Sequence, residues 1–310
     1  MKTSKWLAFA AMMLVVAGGP ISAQSAEPAA SSSSAPAPRE KKVLLLGIDG
    51  CRPDALLAAD APHLDALIDD GVFLDHTQTG ADTVSGPGWS SMLTGVWADK
   101  HGVHDNSFKG RNYQEFPHFF ARLKEARPDA FCASIVHWQP IALFIVSKAD
   151  VSLLPGDDAK VADLAIKQLA EKDLDVLFLH FDDVDKAGHA KGFHPSVPEY
   201  IAAIEGVDAH VGRVLSALRS RPNYAQEDWL VIVSTDHGGK GTGHSDGAEV
   251  PEIRTMFIVV SGSAAAREAP AEPTYIVDVA ATALTHLGVE LKPEWKLDGR
   301  PVGLKKQADE

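Results

Sequence analysis

The chain has 310 residues, 45% of them hydrophobic, and a formal net charge of -13. That apolar share supplies a sizeable core, while the acidic balance argues against binding nucleic acid polymers or anionic membranes, which need basic patches. An anionic small molecule stays open, because bound metal ions reverse a local field.

At the start, Lys2 and Lys5 precede an apolar run from Trp6 to Val16, Gly18-Gly19-Pro20 breaks it, and Ile21-Ser22-Ala23 offers small residues for cleavage. This pattern predicts a signal peptide over residues 1–23, and with it a periplasmic or secreted protein. The run is too short for a membrane span, so no stable membrane anchor is expected. Losing these residues removes two lysines and no acids, which takes the net charge to -15. Residues 24–40 are mostly Ala, Ser and Pro and read as a disordered linker. Residues 41–310 then form a single folded domain. Cys51 and Cys132 are too few for a disulfide framework and read as buried free thiols.

Continuous apolar runs predict buried strands at Lys42–Ile48, Phe131–Val136, Leu174–Phe181, Trp229–Ser234 and Thr255–Val260. Helical patterns fall at Ala61–Asp69, Asp157–Ala170, Pro198–Leu218 and Tyr275–Leu287. The alternation predicts an α/β fold, a three-layer sandwich with a mostly parallel central sheet. Three of the strands run into charged residues: Asp49, then Asp182-Asp183-Val184-Asp185, then Asp236-His237. Open parallel sheets place their sites at the carboxyl ends of strands. Carboxylates gathered there repel one another unless a cation joins them.

Asp185 and His189 are four apart and share a helical face. Asp236-His237 adds an oxygen and a nitrogen, and the glycine-rich turn Gly238–Gly243 can return His244 to the same edge. Three Asp and three His suit zinc first, with manganese or iron as alternatives. Singly, each has a plainer role: Asp49 as a turn residue, Asp185 as a helix cap, His237 as a core histidine. Their joint appearance at strand ends favours the metal. The other ten histidines, including His137, His180 and His194, read as structural.

Ser85, in Asp82-Thr83-Val84-Ser85-Gly86-Pro87-Gly88, stands where a turn feeds a helix, with Pro87 suited to a first helical position. Free amides and the positive dipole end there favour an alkoxide and an incoming anion. Without the metal set, Ser85 reads as a plain helix cap. No Gly-x-Ser-x-Gly elbow supports a Ser-His-Asp triad.

These motifs resemble the alkaline phosphatase superfamily, and within it the type I phosphodiesterase and nucleotide pyrophosphatase group. The resemblance rests on Gly47–Asp54, Ser85-Gly86-Pro87-Gly88 through Leu93-Thr94-Gly95, His101-Gly102-Val103, Asp185–His189, Ser234–Gly238, Gly243-His244 and Leu297–Pro301. It implies an alkaline-phosphatase-like fold and a two-metal hydrolase acting on a small phosphate ester. Asp49, Asp236, His237 and the Ser85 oxygen would hold one divalent ion, and Asp185, His189 and His244 the other. It further implies a covalent phosphoserine intermediate on Ser85, and a substrate-binding role for Asn106, whose plainer reading is a turn residue.

The chain departs from the group in having serine where many diesterases have threonine, and in the short loop between His237 and His244. A sulfatase is the nearest rival, but Trp89 stands where the sulfatase pattern has arginine. No arginine adjoins Ser85, which leans from a phosphomonoesterase towards diesters, although Lys109, Lys186, Lys191 and Lys240 are within reach in sequence. A phosphonate hydrolase on the same site is a further alternative. A degenerate metal-stabilised binding protein would lack a ligand or the nucleophile, and here none is missing.

Overall fold

The structure, a computed structural model, describes residues 39–306. The expected signal peptide, and the expected linker up to Pro38, lie outside the described residues. The first strand opens at Glu40, one residue inside the expected linker. Its Lys42 is buried at 2% exposure and pairs with Asp173 at 2.8 Å, which ties this end of the strand to the body.

Seven strands form one sheet: β1 (Glu40–Ile48), β2 (Gly71–Gln78), β3 (Cys132–Val136), β4 (Val151–Leu153), β5 (Val176–Phe181), β6 (Glu227–Ser234) and β7 (Thr255–Ser261), in the order β2-β7-β6-β1-β5-β3-β4. All neighbouring pairs are parallel except those made by β7, which runs against both β6 and β2. The sheet is thus mostly parallel, as expected.

β2 and β4 escape the apolar-run reading because they are edge strands. β2 mixes buried residues with half-buried ones and the exposed His76, and β4 has only three residues, none fully buried. The period of two divides the core into two layers. From β1, Val43 and Leu45 pack with Trp89, Phe120 and Ala280 on one face, while Leu44, Leu46 and Ile48 pack with Leu64, Ala162 and Ile204 on the other. Helices Ser85–Thr94, Phe119–Ala126 and Asp278–His286 cover the first face. Helices Pro62–Asp69, Asp158–Glu171 and Pro198–Arg219 cover the second.

Cys51 and Cys132 are buried free thiols. Among the described residues no helix is long and apolar enough to cross a membrane. The order β6-β1-β5 makes neighbours of the three strands that end in acids, so Asp236, Asp49 and the Asp182–Asp185 segment emerge side by side.

Candidate active site

Asp49 is the centre of the arrangement. It is 1% exposed, and its Oδ2 accepts hydrogen bonds from Trp89 Nε1 at 2.9 Å and His180 Nε2 at 3.0 Å. Trp89 reaches it by crossing β1 at Gly47, where a Cβ would stand 2.4 Å from the indole ring. The direction of the His180 bond is fixed from behind: its Nδ1 accepts from Trp138 N–H at 3.4 Å, so Nε2 carries the proton. His180 is therefore a holder of Asp49, which corrects its reading as merely structural. Its only sequence signal is its place in β5, two residues before Asp182.

The other carboxylates and imidazoles close around Asp49 Oδ1. His237 Nε2 lies 3.6 Å from Asp49 Oδ1 and 3.2 Å from Asp236 Oδ2. Ser85 Oγ is 3.3 Å from the same nitrogen. On the second side, His244 Nε2 is 3.6 Å from Asp185 Oδ1, His189 Nε2 is 3.4 Å from Asp185 Oδ2, and the two histidine nitrogens stand 3.0 Å apart. The structure thus brings all six expected ligand residues and Ser85 into one cluster. Asp49, Asp236 and His237 form one compact group, and Asp185, His237 and His244 another.

Whether this set suits cations can be judged from its own hydrogen bonds. Asp49 Oδ1, Asp185 Oδ1 and Asp236 Oδ2 are buried with no hydrogen-bond partner among the described residues. Such atoms are costly unless something pairs with them. The three imidazoles share one hydrogen-bonding pattern. His237 Nδ1 faces Gly238 O at 2.9 Å, His244 Nδ1 faces Thr83 O at 2.9 Å, and His189 Nδ1 faces Thr242 O at 2.9 Å. A carbonyl oxygen only accepts, so each Nδ1 carries the proton and each Nε2 lone pair points into the cluster. This is the tautomer of a histidine prepared to bind metal. Lone pairs of His189 and His244 facing each other at 3.0 Å need a cation to share.

The electrostatics agree. Burial opposes the charge of Asp49, but the hydrogen bonds from His180 and Trp89 hold its carboxyl well below the usual range. Burial, then the Asp49 charge, pushes Asp185 up to about 8 and raises Asp236 well above its ordinary value. Burial lowers His244 to about 3. Three acids so close do not all ionise without added positive charge. The donor set of imidazole nitrogens and carboxylate oxygens fits divalent ions.

Ser85 is the first residue of the Ser85–Thr94 helix, two residues ahead of the expected start, with Val84 at the cap position. The expectation of free amides there holds in part: Ser85 N–H has no hydrogen-bond partner among the described residues. Gly86 N–H donates to Asn106 Oδ1 at 2.7 Å, and Pro87 has no N–H. Beside Ser85 N–H the entrance presents the Asn106 side chain, with its oxygen fixed by Gly86 N–H and its amide group left to donate. Gly88 is required by close approach, since a Cβ there would stand 2.9 Å from Asp236 Cβ. A cavity of about 350 Å³ runs along this helix past Pro87, Gly88, Trp97 and Tyr275, but none of the six clustered ligand residues lines it. Of the four lysines near in sequence, Lys240 pairs with Glu252 at 3.0 Å, Lys191 with Glu199 at 3.5 Å and Lys186 with Asp182 at 3.0 Å, while Lys109 makes no ion pair among the described residues.

Comparison with known proteins defines the class. The family model for type I phosphodiesterase / nucleotide pyrophosphatase matches residues 43–142, and that of the metalloenzyme superfamily matches residues 147–291. A bis(5'-adenosyl)-triphosphatase of Bos taurus is 24% identical over 67% of this chain and 49% of its own length. The ectonucleotide pyrophosphatase/phosphodiesterase family member 7 of Homo sapiens is 23% identical over 75% of this chain and 52% of its own. The chain thus spans about half the length of these curated relatives. Among solved structures, murine ectonucleotide pyrophosphatase/phosphodiesterase 5 superposes with a TM-score of 0.62 at 16% identity, over 81% of this chain and 96% of that one. A 2-O GAG sulfatase superposes with a TM-score of 0.66 at 13% identity, over 84% and 73%. The family models and the relatives agree in making the chain similar to the alkaline phosphatase superfamily, and within it to the nucleotide pyrophosphatase/phosphodiesterase-like group. Its mixed seven-stranded sheet with helices on both sides is the fold of that superfamily.

Proposed function

We propose that the protein is a metal-dependent phosphoric ester hydrolase, exported to the periplasm or beyond the cell, that cleaves small phosphate esters, diesters favoured, through Ser85. The observation that carries this reading is the convergence of three partnerless carboxylate oxygens and three imidazole Nε2 atoms around the Ser85 hydroxyl. Asp49, Asp236, His237 and the Ser85 oxygen would hold one divalent ion; Asp185, His189 and His244 would hold the second. Zinc suits this mixed set best, with manganese or iron as alternatives. Bound there, the pair supplies Lewis acidity that favours the alkoxide of Ser85, offsets charge on the leaving oxygen and activates water. The residues 1–23 pattern supports export, and residues 41–310 would be the hydrolase domain.

The chain's own residues do the rest. Ser85 Oγ attacks phosphorus, the bond to the leaving oxygen breaks, and the phosphoryl group rests on Ser85 until water releases it. His180 and Trp89 keep Asp49 ionised and in place. Asn106, with its oxygen held by Gly86 N–H, turns its amide to a non-bridging phosphate oxygen, a neutral donor placed where charge develops. The ion pairs of Lys186, Lys191 and Lys240 draw those ammonium groups to other acids, which supports a singly charged diester over a dianionic monoester. Trp89 is committed to Asp49, so the position at which sulfatases carry arginine serves another purpose here.

The test is turnover of bis-p-nitrophenyl phosphate, p-nitrophenyl phosphate and p-nitrophenyl sulfate by protein reconstituted with zinc or manganese. A diester preference is expected. A monoester or sulfate preference would overturn the substrate assignment, and no turnover of any of the three would overturn the activity.

A further inference from the structure

The Asp183–Lys191 helix carries Asp185 and His189, yet it starts without a cap of its own: Asp182, at the cap position, makes no side-chain bond to the helix amides. A residue of another helix does so instead. Asp158 Oδ1 accepts from Asp182 N–H at 2.9 Å, and its Oδ2 accepts from Asp183 N–H at 3.0 Å. Asp158 is fully buried. Its own helix is capped by the preceding residue, Asp157, through Lys160 N–H at 2.8 Å. Of two adjacent acids, one serves its own helix and the other reaches across to the helix with the ligands.

Asp158 is itself braced. His137, just past β3, donates Nδ1–H to Asp158 Oδ1 at 2.6 Å, and its Nε2 accepts from Lys186 Nζ at 2.6 Å. Three charge-assisted bonds offset the burial of the carboxylate. The carboxylate also faces the positive end of the ligand helix, the favourable sign for that position. The first turn, Asp183 to Asp185, takes its direction from these two amide bonds. Asp49, Asp236 and His237 follow directly from β1 and β6 and make no hydrogen bond to Asp158.

We propose that Asp158 is a positioning residue for the second metal set: by capping the ligand helix from outside, it fixes the aim of Asp185 and the distance from Asp185 to His189. The proposal rests on the two-metal reading above. It goes beyond it in assigning to an acid 27 residues before Asp185, outside every matching motif, the task of separating a strong second site from a weak one.

The experiment is zinc titration of metal-free protein, with retained ions counted by mass spectrometry, for the wild type, Asp158→Ala, Asp158→Asn and His137→Ala. In Asp158→Ala the first ion should bind as in the wild type, and the second should weaken about tenfold or more, the scale on which supporting bonds act on metal sites. Asp158→Asn keeps one acceptor and should fall between. His137→Ala leaves both amide bonds and should keep the second ion near wild-type affinity. Equal weakening of both ions, or no weakening of either, would overturn the proposal, as would a His137→Ala loss as large as that of Asp158→Ala. Should Asp158→Ala fail to fold, Asp158→Asn decides, and wild-type affinity for the second ion in that variant contradicts the proposal. Failure of the two-metal reading shows separately, as a wild type that retains fewer than two ions.

Discussion

His180 Nε2 donates to Asp49 Oδ2 at 3.0 Å, and both residues are shut from solvent, at 0% and 1% side-chain exposure. The bond spends one carboxylate oxygen on the protein and leaves the other, Oδ1, facing the cluster. Replacing His180 with Phe keeps the ring volume and removes the donor. Activity or metal affinity should fall about 10- to 100-fold, with the fold retained. Steady-state kinetics beside a far-ultraviolet circular dichroism spectrum checks this. Unchanged kinetics would leave His180 as core packing.

Ser85→Ala should abolish turnover of phosphate esters while both ions stay bound, because six other protein ligands remain. The measurement pairs initial rates with metal content. Full activity in this variant would remove Ser85 as the nucleophile.

Gly47→Ala tests the crossing that lets Trp89 reach Asp49. A Cβ at this position would stand 2.4 Å from the indole. The ring must shift within a packed core, at a cost of about 1–3 kcal/mol. Chemical denaturation should show that loss, and activity should fall with it as the Trp89 bond to Asp49 lengthens. An unchanged denaturation midpoint would contradict the packing described.

The acids make stability depend on pH once ions are removed. Asp185 is raised from 3.8 to about 8, and Asp236 is raised as well. A raised pKa means that the folded chain binds more protons than the unfolded one, so stability falls as pH climbs towards the folded value. His244 is lowered from 6.5 to about 3 and acts in the opposite sense, but only below pH 6.5. The clean window is therefore pH 6.5 to 8. In a chelator the protein should lose on the order of 1 kcal/mol per pH unit there, and saturating zinc should remove the slope. Thermal denaturation at several pH values checks it; a chelated protein that gains stability across the window would contradict it.

Much of this site was legible in the sequence because chemistry and topology coincide in it. Buried parallel strands are continuous apolar runs, so β1, β5 and β6 and the acids at their ends stand out. The helices Pro62–Asp69, Asp158–Glu171, Pro198–Arg219 and Asp278–His286 were legible to within a few residues by their period, whereas Phe119–Ala126 was not. The edge strands β2 and β4 lack that signal, and the reversal of β7 leaves no trace in composition. Support residues were hidden for a different reason. His180 sits inside an apolar run like any core histidine, and the reach of Asp158 to the Asp182 and Asp183 amides is a tertiary contact that no local spacing announces. Asn106 was visible only through the family resemblance, and its bond to Gly86 N–H, made across 20 residues, leaves no local signal.

The most direct test of the central claim, that residues from three adjacent strand ends hold two ions around Ser85, is metal content by mass spectrometry on purified protein reconstituted with zinc or manganese, in the wild type and in His244→Ala. Two ions per chain are expected in the wild type and one in the variant. A wild type that retains none, or a variant that retains both at full affinity, would contradict it.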